Sequence, residues 1–130
     1  METKEFAACV EEATVVYLDR TDVISECPWS KHPQFKGVYL KHIITGKDTG
    51  GILSCHMVKI EPNHILEDHV HERQSELHEV IYGDGQFILE ATESSYHPGA
   101  MGMIPKGSHH KVCAGKSGLV LLAHFYPALL

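Results

Sequence analysis

The chain is short of the residues that mark several large functional classes. It has four cysteines, Cys9, Cys27, Cys55 and Cys113, with no Cys-x-x-Cys pair, too few and too scattered for a disulfide framework. Reduced thiols in a cytoplasmic protein are the expectation. Nowhere do about eighteen apolar residues run together, the length a membrane helix needs. Met1-Glu2-Thr3-Lys4-Glu5 leads into no continuous apolar stretch of the kind a secretion leader carries, so we expect a soluble, unprocessed chain. Basic residues are outnumbered, 11 Lys and Arg against 17 Asp and Glu, for a formal net charge of −6. That balance lacks the basic stripe that displaces counterions from phosphates, and it repels an anionic bilayer. We therefore expect no nucleic-acid partner and no membrane partner. With 130 residues, 43% of them hydrophobic and 22% charged, the composition suits a single globular domain.

Histidine is what the chain has in excess, at 11 positions. It is the commonest protein metal ligand and the side chain that titrates nearest neutral pH. From Phe6 to Val16 the apolar residues Phe6, Cys9, Val10 and Ala13 fall at helical spacing, which predicts a short amphipathic helix. A loose arm follows, and beyond Pro33 the texture changes to short runs rich in Val, Ile, Leu and Tyr. Strands are expected at 38–45, 53–61, 69–71, 77–82, 86–92, 102–104, 110–113 and 119–126. Turns are expected at 48–51, 83–85, 97–99 and 116–118. Such spacing points to an antiparallel sandwich or barrel. We read residues 1–36 as an N-terminal arm and 37–130 as the β-barrel of one structural domain.

Side chains alternate faces along a strand. Lys59 and Glu61 mark a wet face, which turns His56 inward with Val58 and Ile60; Lys41 likewise points out and His42 in. Two histidines inside a barrel need hydrogen-bond partners. His69-Val70-His71 sets two imidazoles on one strand face, within reach of a single ion. Other catalytic patterns are absent. His71-Glu72-Arg73-Gln74-Ser75 lacks the second histidine of a zinc-protease helix, Gly83-Asp84-Gly85 opens no dinucleotide-binding helix, and no Gly-x-Ser-x-Gly turn occurs. Met101 and Met103 read as core filling.

The wider pattern is His69-x-His71-x4-Glu76-x6-Gly83, followed by Gly99-x5-Pro105-x-Gly107-x2-His110. It resembles the two motifs of the cupin superfamily, written G-x5-H-x-H-x3,4-E-x6-G and G-x5-P-x-G-x2-H-x3-N. Asn63 stands in place of the first glycine and Ala114 in place of the final asparagine. The resemblance spans residues from about 53 to 126. It implies an all-β fold, an antiparallel jelly-roll β-barrel (double-stranded β-helix), with a short N-terminal helix or arm. It also implies one divalent transition metal ion (Fe, Mn, Ni, Co or Zn) held by His69, His71, Glu76 and His110. Strand parity agrees with that carry-over, placing Glu76 rather than Glu79, and His110 rather than His109, on the inner face.

The function expected from this reading is a small metal-dependent enzyme acting on a small, polar, oxygen-rich molecule, of dioxygenase, isomerase, decarboxylase or lyase type. His78 would carry the proton, while His42, His56 and Arg73 would bind substrate. The alternative is a non-catalytic metal- or small-ligand-binding module acting as a sensor or accessory protein. A metal-free sugar epimerase is disfavoured because all four ligand positions are filled. The run 119–126 is apolar on both parities, from which we expect a homodimer.

Overall fold

The computed structural model describes residues 3–130, with side chains from Ala8 onward. Helix α1 (Thr3–Glu12) is followed by a small hairpin of β1 (Thr14–Val16) and β2 (Thr21–Val23), a 3-10 turn at Ile24–Glu26, and β3 (Trp29–Lys31). Then come β4 (Val38–Ile44), the one-turn helix α2 (Gly46–Thr49), β5 (Ser54–Ile60), β6 (Ile65–His69), β7 (Ser75–Leu89), β8 (Thr92–Tyr96), β9 (Met101–Ile104) and β10 (His110–Tyr126). The main sheet is antiparallel in the order β3-β4-β5-β10-β7-β8, with β6 also on β10 and β9 also on β7. This is the expected mostly-β, jelly-roll architecture. Because β3 belongs to the arm and pairs with β4, arm and barrel share one sheet.

Two expected turns turn out to be bends inside long strands. Residues 83–85 lie within the 15-residue β7 and residues 116–118 within the 17-residue β10. Gly83 and Gly118 take positive φ (82° and 77°), and a Cβ on Gly83 would come within 2.0 Å of the Gly118 carbonyl oxygen. The glycines thus let two strands bulge together without parting, with a register shift between Ala114 and Leu119. The expected turn at 48–51 is in part a helix. The Thr45 N–H donates to the Asp48 carboxylate at 2.9 Å, and Gly50 ends the helix in the left-handed conformation.

Parity assigns the inner face of the barrel correctly and misjudges its outer face. Val38, Val58, Ile60, Val80, Val112 and Leu121 fill the interior. Outside, Ile24, Met57 and Ile81 form a second cluster, with Val10 of α1, Val15, Trp29, Val120 and Leu122 packed on it. The arm therefore packs on the outer parity of β10, where Val120 and Leu122 stay half-buried. Lys41 does point out, but it is only 2% exposed: its ammonium donates to the Ile24 carbonyl at 3.3 Å and lies over the Trp29 ring at 5.0 Å.

Three further expectations are corrected. Met101 and Met103 are 67% and 52% exposed, because Gly102 and Ile104 take the inward positions of β9. Cys9 of the predicted helical stripe is exposed, and α1 ends at Glu12, earlier than its apolar pattern suggests; the Phe6 side chain lies outside the described ones. Strand β6 stops at His69, so His71 sits in the loop that follows.

Candidate metal centre

The site is assembled at the junction of three strands. His110 opens β10 and pairs directly with His69 at the end of β6, while Glu76, near the start of β7, pairs with Phe125 further along β10. His71 is tethered by its own carbonyl, which accepts the Gly107 N–H at 2.8 Å and so ties its loop to the turn before His110. Gly107 has φ 83° there, a conformation glycine adopts at no steric cost. Asn63, in place of the motif's glycine, has φ 60°, and asparagine is among the few residue types that tolerate it.

His69, His71, Glu76 and His110 offer donor atoms that all lie within 4.8 Å of one another. Their tautomers are set from behind. His69 Nδ1–H donates to the Glu67 carbonyl at 2.7 Å and His110 Nδ1–H to the Ser108 carbonyl at 3.1 Å, which turns both Nε2 lone pairs to the centre. Burial pushes His69 down to about 4, with the neighbouring His110 adding to it, and lowers His71 as well, so both stay neutral. Burial works to raise the Glu76 carboxyl, but His78, first among the groups that oppose it, donates to the carboxylate, and the group is held well below the usual carboxylate range.

The fit to a cation shows in what lacks a partner. Among the described residues four buried side-chain polar atoms have none, and two of them are Glu76 Oε1 and His110 Nε2. They stand 3.1 Å apart without the alignment of a hydrogen bond, and with Nδ1 carrying the His110 proton both are lone-pair atoms. A buried acceptor facing a buried acceptor costs free energy that a cation between them removes. An N3O donor set suits the divalent transition metals and leaves coordination positions open.

Behind Glu76 runs a buried chain. The Tyr96 hydroxyl donates to His78 Nδ1 at 2.9 Å, and His78 Nε2–H donates to Glu76 Oε2 at 2.7 Å. His78 is 0% exposed and Tyr96 2%. Tyr96 stacks on Phe87 with centroids 4.6 Å apart, and Gly102 makes the room, since a Cβ there would lie 2.0 Å from the Tyr96 hydroxyl. Burial, then the charge of Glu76, pushes the Tyr96 hydroxyl up, so it remains a donor. Expected on the cavity wall as a proton carrier, His78 instead lies behind Glu76 with both ring nitrogens engaged.

In front of the donors is a cavity of about 80 Å³, lined by His32, His42, His56, His69, His71 and Glu76 and by the apolar Leu40, Val58, Leu66, Ala123, Phe125 and Leu129. His42 and His56 are partners for each other, Nδ1 to Nδ1 at 2.8 Å, and His56 Nε2 is bonded to Ser54 Oγ at 2.8 Å. Larger depressions occur elsewhere, such as one of about 480 Å³ along Tyr39, Lys59 and Tyr82, but the clustered donors are not in them. Arg73 is exposed and does not line the cavity. Sequence reasoning missed His32 and Tyr96. His32 comes from the arm, and nothing in its local pattern announces a cavity. Tyr96 could have been suspected from the lone bulky inward position of a polar strand.

No family model and no characterised protein matches the chain by sequence. Solved structures do match its fold. KdgF from Halomonas sp. superposes with a TM-score of 0.70 at 21% identity, over 79% of this chain and 90% of that one. A predicted oxalate decarboxylase from Thermotoga maritima gives 0.73 at 19% identity, over 79% and 95%. A variant of Bacillus subtilis oxalate decarboxylase gives 0.71 at 20%, over 82% of this chain but 29% of that longer one. Mn(II) centres are described for the Bacillus enzyme. These neighbours are cupins, and the chain has the cupin fold.

Proposed function

We propose that the chain is a metal-dependent cupin enzyme in which His69, His71, Glu76 and His110 hold one divalent ion of the Mn, Fe, Co, Ni or Zn group. The observation that carries this reading is the pair of unpartnered buried atoms, Glu76 Oε1 and His110 Nε2, at 3.1 Å. Such an ion supplies Lewis acidity, and redox chemistry if it is Fe or Mn, to a small oxygen-rich molecule. The chain's own residues do the rest. Tyr96, acting through His78, keeps Glu76 ionised and aims its free oxygen. The hydrogen-bonded His42 and His56 border the cavity and orient a substrate bound in it. Leu40, Val58, Leu66 and Phe125 exclude water from the same space. The four cysteines are free, which suits the reducing cytoplasm, the location we assign.

Metal analysis of protein purified without an affinity tag tests the assignment. One equivalent of a divalent transition metal is expected, and His69→Ala or His110→Ala should weaken its binding by about ten-fold or more. Unchanged metal content in either variant overturns the ligand set. A loaded protein that binds an oxyacid tightly and turns none over returns the non-catalytic binding module.

A further inference from the structure

The cavity walls say more than that the ligand is small. Opposite the imidazoles and Glu76, every wall residue is aliphatic or aromatic, and among the described residues no lysine or arginine lines the space. Arg73 is out in solvent and the Lys41 ammonium is on the far side of β4, at the Ile24 carbonyl. The charge of the loaded site is then a matter of counting. A divalent ion beside the single carboxylate of Glu76 leaves one net positive charge if the imidazoles are neutral.

Geometry fixes this for His32 and requires at least one neutral ring in the His42–His56 pair, where burial works in the same direction. His32 Nδ1 accepts the N–H groups of Gln34 and Phe35 at 3.1 and 3.2 Å, which requires a lone pair there and so a neutral ring with its proton on Nε2. His42 and His56, meeting Nδ1 to Nδ1 at 2.8 Å, need a lone pair between them. Burial lowers both, and His42 adds to the effect on His56, which is pushed down to about 4. Metal-ligating histidines are neutral by the requirement of coordination. One negative charge balances the site, and a second would be buried against Leu40, Val58, Leu66 and Phe125 with no cation to meet it. A volume of about 80 Å³ is the share of roughly three waters at about 30 Å³ each, so the part of the ligand it encloses is small. Four protein donors on a six-coordinate ion leave two positions, the number that a bidentate oxygen head uses.

We propose that the site selects a small 2-hydroxy- or 2-oxo-monocarboxylate with a short aliphatic tail over the corresponding dicarboxylate, and that His32 Nε2–H is the protein's fixed donor to it. The ring of His32 is held for this by stacking on Phe35, centroids 4.6 Å apart, and it reaches the cavity through the β3–β4 connection. This inference rests on the metal reading above and deepens it to a charge class.

The test uses the full chain loaded with Co(II), whose visible absorption reports ligand binding. The probes are 2-hydroxybutyrate and hydroxymalonate, which share the 2-hydroxycarboxylate head and differ in an ethyl or a carboxylate on the same carbon. The monocarboxylate should bind at least about ten-fold more tightly, although the dicarboxylate is the stronger chelator in water. His32→Phe, which keeps the stack and removes the donor, should weaken 2-hydroxybutyrate by about ten-fold with Co(II) affinity unchanged. Leu40→Lys supplies the missing cation and should reverse the preference. Hydroxymalonate binding as tightly as 2-hydroxybutyrate in the unmodified protein overturns the charge-class proposal while the metal reading stands, and it does so whether or not Leu40→Lys folds. Unaltered 2-hydroxybutyrate affinity in His32→Phe removes His32 from the site. Failure of the unmodified chain to take up Co(II) before any acid is added is the separate result that removes the metal reading itself.

Discussion

The two faces of the sheet bury polar groups in opposite ways. On the outer face Lys41 is 2% exposed, yet its ammonium has the Ile24 carbonyl at 3.3 Å, Glu11 at 3.9 Å and the Trp29 ring beneath it. On the inner face Glu76 is 3% exposed and His110 0%, and the two atoms they turn toward each other have no hydrogen-bond partner among the described residues. The arm completes the first arrangement; among the described residues nothing completes the second. Burial of a polar group is therefore uninformative here until its partners are counted: the satisfied one reads as structural, and the unsatisfied pair, set among two further donors, is what supports the proposed metal site.

The sharpest way to break that contrast is Glu76→Gln. It removes the anionic donor, and a carboxamide N–H can donate to His110 Nε2, so metal affinity should fall by more than about a hundred-fold while the metal-free protein melts at the same temperature or higher. Chelator competition and calorimetry read the two quantities. A large loss of metal-free stability would mean that the pair is structural after all.

The inner face should also be the pH-sensitive one. Burial, then His42, depresses His56 to about 4 in the folded chain, against 6.5 for the free side chain. Below 6.5 the unfolded chain takes up a proton that the folded chain refuses. Stability is thus fully present above pH 6.5 and lost as pH falls toward 4, a drop of about 5 °C or more in the Tm of the metal-free protein. His56→Gln should flatten that slope, and an unchanged slope would place its origin elsewhere.

Tyr96→Phe keeps the stack on Phe87 and deletes the hydroxyl that orients His78. Metal affinity should weaken by about ten-fold, with about 1 kcal/mol lost from the metal-free fold. Lys41→Met should do the reverse, costing about 1–2 kcal/mol through the stranded Ile24 carbonyl and leaving metal affinity alone. Arg73→Ala should change neither by more than about 0.5 kcal/mol, since the side chain is exposed and off the cavity. If Lys41→Met weakened the metal, or Arg73→Ala did, the two faces would not be the independent regions described.

What could be read early was whatever depends on neighbours in sequence. Period-two alternation puts Glu76 inside and leaves the Glu79 side chain 43% exposed, and it separates buried His110 from exposed His109 by one step. It also turned His56 inward with Val58 and Ile60. The rule sorts residues by face and is blind to what covers a face: Lys41 points out as it requires and is buried all the same, while Met101 and Met103, read as core filling from residue type, are exposed. The arm covers one outer surface, over Lys41, and leaves another open, over β9. The expected turns at 83–85 and 116–118 failed for a related reason. Glycine at a bulge and glycine at a turn need the same positive φ, and only the partner strand tells them apart.

The sequence by itself determined the architecture and the inventory of donors: β-rich runs of the right length, an alternating pattern with a defined inner face, and two histidine-bearing motifs at fixed spacing. Those are local properties, written in periodicity and turn chemistry. Tertiary structure alone decided which polar groups share a space. His32 arrives at the cavity from the arm, Tyr96 reaches Glu76 through His78, and Lys41 finds the Ile24 carbonyl, each across a gap in sequence that no period spans. Such contacts form only when the barrel closes and the arm lies down on it, because the chain entropy of bringing distant segments together is offset by burial of the whole core and not by any one pair.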